Sequence, residues 1–235
     1  MGKKALLRPT ADNTYRILYA EGADGIGVNF GLELERSQEK ERQGNIEEAC
    51  NIRYAAFQQL MELIPDSTDI ELEWEDRESR DAMLVIHYSA IDHFLLGDFE
   101  MSAAMLEMLL ELDPEDHLDA STLLAYSYVA LEEWDLFDEV INDVSDRLPD
   151  KDILVLWSEF RRTGKLPEGE LHHFKRSFKP YFDEFVAAEH PVDETYLTEI
   201  RGDNPSKKAL ARELWIQVEH LWKLFPGFVE ALSAK

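Results

Sequence analysis

The middle of the chain repeats one local pattern: an amphipathic helical stripe, a break of one or two residues, a second stripe and a closing proline. Met83, Leu84, Ile86, Ile91, Phe94 and Leu95 keep helical spacing up to Gly97, where a residue without a side chain can take the left-handed backbone angle that ends a helix. The next stripe opens at Asp98 and runs through Met101, Met105, Leu106, Met108, Leu109 and Leu112 to Pro114, whose missing amide stops propagation. Leu123, Leu124, Tyr128 and Leu131 start the pattern again. It breaks at Glu132 and Glu133 and resumes with Trp134, Phe137, Val140, Ile141 and Val144 ahead of Pro149. Pro114 and Pro149 stand 35 residues apart. A period of this size makes each hairpin a stacking unit that cannot bury both faces alone, so neighbours must cover it.

These residues resemble the tetratricopeptide repeat family. Ile86, Ser89, Ala90, His93, Ser102, Leu106 and Pro114 fall on the family's pattern in the first hairpin, with Gly97-Asp98-Phe99 at its turn. Ser121, Leu124, Ala125, Tyr128, Ile141 and Pro149 do so in the second. Two positions depart from it: Ser121 replaces a bulky residue and Phe137 a small one. The resemblance covers about residues 40 to 150 and is strongest from 83 to 149. It implies an all-α fold of antiparallel helix hairpins stacked as a short right-handed superhelix. It also implies a protein-protein interaction scaffold with a concave groove for a peptide or helical segment. Carried over position by position, the groove residues are Leu84, His87, Tyr88, Ile91, Thr122, Leu123 and Tyr126. Family members that clamp a terminal carboxylate use Lys, Arg and Asn there. His, Tyr, Ile and Thr suit an apolar or helical segment instead.

Outside this region the helical pattern continues in both directions. Gln43-Gly44-Asn45 reads as the turn of an earlier hairpin that Pro65 closes, with residues 30 to 42 as its first helix. Thr68 and Glu71 read as a capping box, making Asp69 to Asp81 an acidic extension of the helix that follows. Ile153 to Arg162 with Gly164, then Glu170 to Ala188 broken at Pro180, form a further pair. Pro191, Gly202 and Pro205 mark a loop before a last helix from about Ser206 to Leu224, whose stripe suits a C-terminal cap. The organisation expected is a loop or extension over 1–28, a helical repeat domain over 29–188, and a loop with capping helix over 189–235.

Forty-nine acidic against twenty-four basic residues give a formal charge of −25, which repels phosphate backbones and anionic headgroups. The expected partner is therefore another protein or peptide, with no nucleic acid and no membrane. Asp113 to Asp152 holds thirteen acids and two bases, whereas Arg161 to Lys179 holds six bases and two acids; those bases are expected to pair with acidic neighbours or to face solvent. The single Cys50 permits no internal disulfide, and no stretch approaches the length of an apolar membrane span, so a cytoplasmic protein is expected. Before Arg8 and Pro9 too few apolar residues precede for a signal-peptide core.

No residue pattern calls for an enzyme, a cofactor or a metal. Gly25-x-Gly27-x-x-x-Gly31 after the strand-like Tyr15 to Ala20 misses the dinucleotide-loop spacing by one and reads as a plain loop. His87 and His93, six apart, lie on different helix faces, and His172 and His173 diverge. Two rivals stand beside the scaffold reading. One is a helical enzyme using His87, Asp92 or His93; the other is a self-associating protein that packs Trp215 and Trp222 against a second copy.

Overall fold

A computed structural model describes residues 3–22, 24–65 and 70–234. The chain divides into two compact units, residues 1–127 and 128–235. It is mostly helical, as expected, but a small sheet corrects the all-α expectation. In the first unit β1 (Lys4–Pro9) and β2 (Thr14–Ala20) form an antiparallel hairpin with Asn13 at positive φ in its turn. This hairpin occupies the segment expected as a loop or extension, its second strand matching the strand-like reading of Tyr15 to Ala20. Each strand contributes one fully buried residue, Ala5 and Ile17, while the rest of both strands stays more exposed.

The third strand, β3 (Glu71–Leu72), pairs in parallel with β2 and makes the order β1-β2-β3. Here the expected helical extension over Asp69 to Asp81 holds only from Arg77 onward; Glu71 and Leu72 are strand, and Asp69 lies outside the described residues. The Glu71 amide donates to the Asn13 carbonyl at 2.8 Å, the Glu73 amide to the Tyr15 carbonyl at 2.9 Å, and Ile70 and Leu72 are buried. A tertiary ladder outweighs the helix preference of the acidic residues. The Thr68 half of the proposed capping box lies outside the described residues. The real cap is Asp76, whose carboxylate accepts from the Ser79 amide at 2.9 Å.

Four helices accompany this sheet in the first unit, two between β2 and β3 and two after β3: α1 (Phe30–Arg42), α2 (Ile46–Leu63), α3 (Arg77–Leu96) and α4 (Phe99–Leu112). Gly44 and Gly97 both adopt φ near +79° at the two tight connections, where any side chain would be strained. Consecutive helices pack on one another, and α1 also touches α3. Helix α3 is therefore central. Its Ala82, Met83, Val85, Ile86, Ser89, Ala90 and Phe94 are buried, and the Ser79 hydroxyl accepts the Ile17 amide at 3.0 Å, tying the helix to the sheet. Helix α5 (Ala120–Leu131) begins in this unit. Asp116 caps its start, accepting from the Ala120 and Ser121 amides at 2.6 and 3.1 Å.

The second unit holds α6 (Trp134–Val140), α7 (Pro149–Thr163), α8 (Glu168–Ser177), α9 (Lys179–Phe185), α10 (Glu194–Ile200), α11 (Lys207–Leu224) and α12 (Gly227–Ser233). Pro149 opens α7 instead of only closing what precedes it, because a first-turn amide has no partner to lose. The expected break near Pro180 is real: α8 ends at Ser177 and Pro180 sits in the first turn of α9. The 189–205 stretch, expected as loop, contains α10. Helix α11 starts where Ser206 predicts it, the hydroxyl accepting from the Ala209 amide at 3.1 Å. It packs on α9, α10 and α12. Its Trp222 meets Trp157 edge-on at 5.2 Å, and its Trp215 meets Phe185 at 5.2 Å. Both α11 indoles are more than nine-tenths buried in this unit's own aromatic core, so the self-association rival loses the rings it relied on.

Candidate protein-binding surface

Helix α3 has two unlike long faces. Opposite its buried side, Leu84, Tyr88, Ile91 and Leu95 recur at helical spacing, the first three half-buried and Leu95 50% exposed. His87 lies beside Tyr88, ring centroids 6.0 Å apart. Burial is the largest influence on His87 and pushes its pKa down, with the Asp116 charge opposing. The imidazole is therefore neutral at physiological pH and adds no positive charge to this face.

The three α5 residues divide. Thr122 and Leu123 are half-buried, and the Thr122 hydroxyl donates to Asp119 Oδ1 at 2.9 Å, closing the helix's own first turn. Tyr126 is only 2% exposed, with its ring 6.4 Å from Phe94. It fills space between helices and offers no surface to a partner. The Tyr126 ring against Phe94 brings α5 beside α3. Leu84, His87, Tyr88, Ile91, Thr122 and Leu123 are thus the accessible part of the set.

The histidines and acid of the enzyme rival do not share a site. Asp92 is held by Arg53 of α2, whose Nε and Nη2 donate to its two carboxylate oxygens at 2.7 Å each. Arg53 Nη1 donates to Glu41 of α1 at 2.7 Å, so one guanidinium only 4% exposed ties three helices together. His93 Nδ1 lies 3.0 Å from Asp98 and its ring 5.4 Å from Tyr54, while His87 answers to Asp116. The Cys50 thiol is pushed up by burial and by Asp92, against the opposing Arg53, the reverse of an activated nucleophile. Among the described residues no group of three or more His, Cys, Asp or Glu side chains is arranged to hold a metal ion. The glycine cluster has a structural job: a Cβ on Gly25 would stand 2.2 Å from the Ala5 carbonyl oxygen, where Ala5 and Ile26 exchange backbone hydrogen bonds.

Sequence reasoning missed a second buried ionic centre. Glu184 of α9 accepts from Arg212 Nε and, at 3.0 Å, Nη2, and lies 2.6 Å from His190 Nδ1. The His190 ring stacks on Trp215 at 3.9 Å, and Arg212 Nη1 donates to the Pro191 carbonyl at 2.6 Å. This cluster pins the 186–193 segment to α11, and Arg212 also forms one wall of a cavity of about 190 Å³ with Tyr196, Glu199 and Lys208. The only advance signal was an arginine between apolar positions of an amphipathic helix. The basic stretch behaves as expected in part: Arg161 pairs with Glu132, Arg162 with Asp138 and Lys179 with Asp183. Among the described residues, no helix is long and apolar enough to cross a membrane.

Compared with protein-family models, curated proteins and solved structures, the chain matches none.

Proposed function

We propose that the chain is a protein-interaction scaffold whose first unit holds a segment of another protein against the outer face of α3, flanked by Thr122 and Leu123. One observation carries the reading. A helix whose far side is wholly buried keeps a row of large apolar side chains, Leu84, Tyr88, Ile91 and Leu95, only partly covered. Single exposed apolar residues are ordinary, but a row of four along one helix face is a contact surface. Aromatic and branched side chains there supply area at small entropic cost. Short links at Gly44 and Gly97 and the three-helix tie through Arg53 support the role by making the face rigid, so that binding loses little to ordering. The tetratricopeptide resemblance supports the same reading by placing partner contacts on the first helix of each hairpin. No cofactor or catalytic group takes part.

Tyr88→Ala and Ile91→Glu test the proposal, measured as recovery of one defined partner from lysate with far-UV circular dichroism as the folding control. Both variants are expected to fold and to lose that partner at least tenfold. Undiminished recovery by folded Ile91→Glu removes the α3 face from consideration. Tyr126→Ala is expected to act differently, lowering stability by about 3–5 kcal/mol as a truncated core aromatic.

A further inference from the structure

We propose that the outer face of the β1–β2 hairpin docks an acidic segment of another protein, one that carries an apolar side chain between two carboxylates. This surface does not depend on the α3 face. The register pairs Lys4 with Ala20, Leu6 with Leu18 and Arg8 with Arg16, and residues two apart along a strand share a face. Ala5 and Ile17 are buried on the other side, while none of these six is. The hairpin therefore turns two leucines and three cations outward.

Charge identifies what fits. Residues 3–20 hold four bases and the single acid Asp12, whereas residues 21–127 hold six bases and twenty-six acids. Five of those six bases, Arg36, Lys40, Arg42, Arg53 and Arg77, lie within 4 Å of a carboxylate, and the sixth, Arg80, lies over the Trp74 ring. Among the described residues Lys4, Arg8 and Arg16 make no such pair. Glu71 of β3 stands beside Thr14 on the same face, with Glu73 two residues on, yet neither pairs with Arg16. Instead Arg8 faces Arg16 directly, an arrangement that repels, and Arg16 Nε is buried with no hydrogen-bond partner. The chain itself leaves these cations uncompensated. Lys4 and Arg8 are four residues apart, about 13 Å at 3.3 Å per residue, with Leu6 between them. A lone small anion cannot span that distance. A nucleic acid or an anionic bilayer spans it, but sets no apolar group between its charges and presses further anions on the acids of the same unit. A short acidic segment meets both needs, its carboxylates at the cations and its apolar side chain on the leucines. Near 0.15 M salt the screening length is about 8 Å, so the adjacent cations outweigh the distant acids.

The experiment titrates the full chain, near 0.15 M salt, with a 12-residue peptide repeating Glu-Ser-Leu-Ser, which sets carboxylates at i and i+4 with a leucine between, and follows the amide resonances. The expected shifts saturate and fall on residues 4–8 and 14–20. Glutamine for glutamate in the peptide, or Arg8→Glu in the chain, is expected to weaken binding roughly tenfold, and Lys4→Glu repeats the test should Arg8→Glu fail to fold. Arg8→Glu also sets a carboxylate opposite Arg16, so the melting temperature of that variant is expected to rise by about 1–4 °C, the mark of a residue kept for binding at the expense of stability. Ile91→Glu is expected to leave the affinity for this peptide unchanged, which separates this face from that of α3. No saturable shift, an affinity indifferent to Arg8→Glu, or a lower melting temperature for that variant overturns the proposal. Tighter binding by a 12-nucleotide oligothymidine or by phosphatidylserine vesicles overturns it too, by giving the face to phosphate instead of carboxylate.

Discussion

Arg53 and Arg212 each sit in a helix otherwise chosen for apolar contact, and each is less than one-tenth exposed. Burying a guanidinium is costly unless carboxylates surround it, so the partners follow: Asp92 and Glu41 for the first, Glu184 for the second. Glu184→Gln leaves Arg212 buried without its counter-charge and is expected to cost roughly 3–5 kcal/mol. The double variant with Arg212→Met recovers most of that loss. Denaturation followed by tryptophan fluorescence reads the effect where it occurs, since four of the five tryptophans lie beyond residue 127. Burial raises the Glu184 pKa, but hydrogen bonds from Arg212 and His190 prevail and hold it below its ordinary 4.5. Its contribution is therefore present above pH 4.5 and is lost as pH falls through the lower folded value.

Two histidines have opposite signs. His87 is lowered by burial, so the unfolded chain takes the proton first, and stability falls as pH drops below 6.5 toward the folded value. His117 is raised by its hydrogen bond to Asp113, so its contribution is whole below 6.5 and disappears as pH rises through the folded value. Because these slopes oppose each other, a bulk melting curve hides them. Ring-proton resonances separate them, with His87 expected to titrate below 6.5 and His117 above it. A His87 midpoint at or above 6.5 would contradict the desolvated face.

At the scale of elements, connections cost what their backbone angles dictate. Gly164 ends α7 at φ +71°, and a Cβ added there would meet nothing within 4 Å. Gly164→Ala is therefore expected to cost about 1 kcal/mol, the backbone penalty alone. Gly25→Ala has normal φ but meets the Ala5 carbonyl, and is expected to lose the Ala5–Ile26 bridge, seen as faster exchange of those two amides. The turns at Gly44 and Gly97, the Ser206 cap and the stripe of α11 were legible because each is specified within a few residues. β3 was only half legible. Ile70-Glu71-Leu72-Glu73-Trp74 alternates apolar and polar residues, the period of a strand, but the run is short and lies among helix-favouring acids, and its pairing partners Asn13 and Tyr15 come more than fifty residues earlier. Tyr126 shows the same limit within the candidate site. The family resemblance put it beside Thr122 and Leu123, yet its depth against Phe94 is set by how a neighbouring helix lies.

For the molecule as a whole, the claim is that the scaffold role works through one face of one helix while its opposite faces only support it. A photoreactive phenylalanine analogue at Tyr88 or Ile91, compared in living cells with one at the exposed Ala104 of α4, tests this most directly. The account predicts that positions 88 and 91 cross-link the same discrete protein and that position 104 does not. Equal cross-linking of that protein from position 104, or none from 88 and 91, would contradict it.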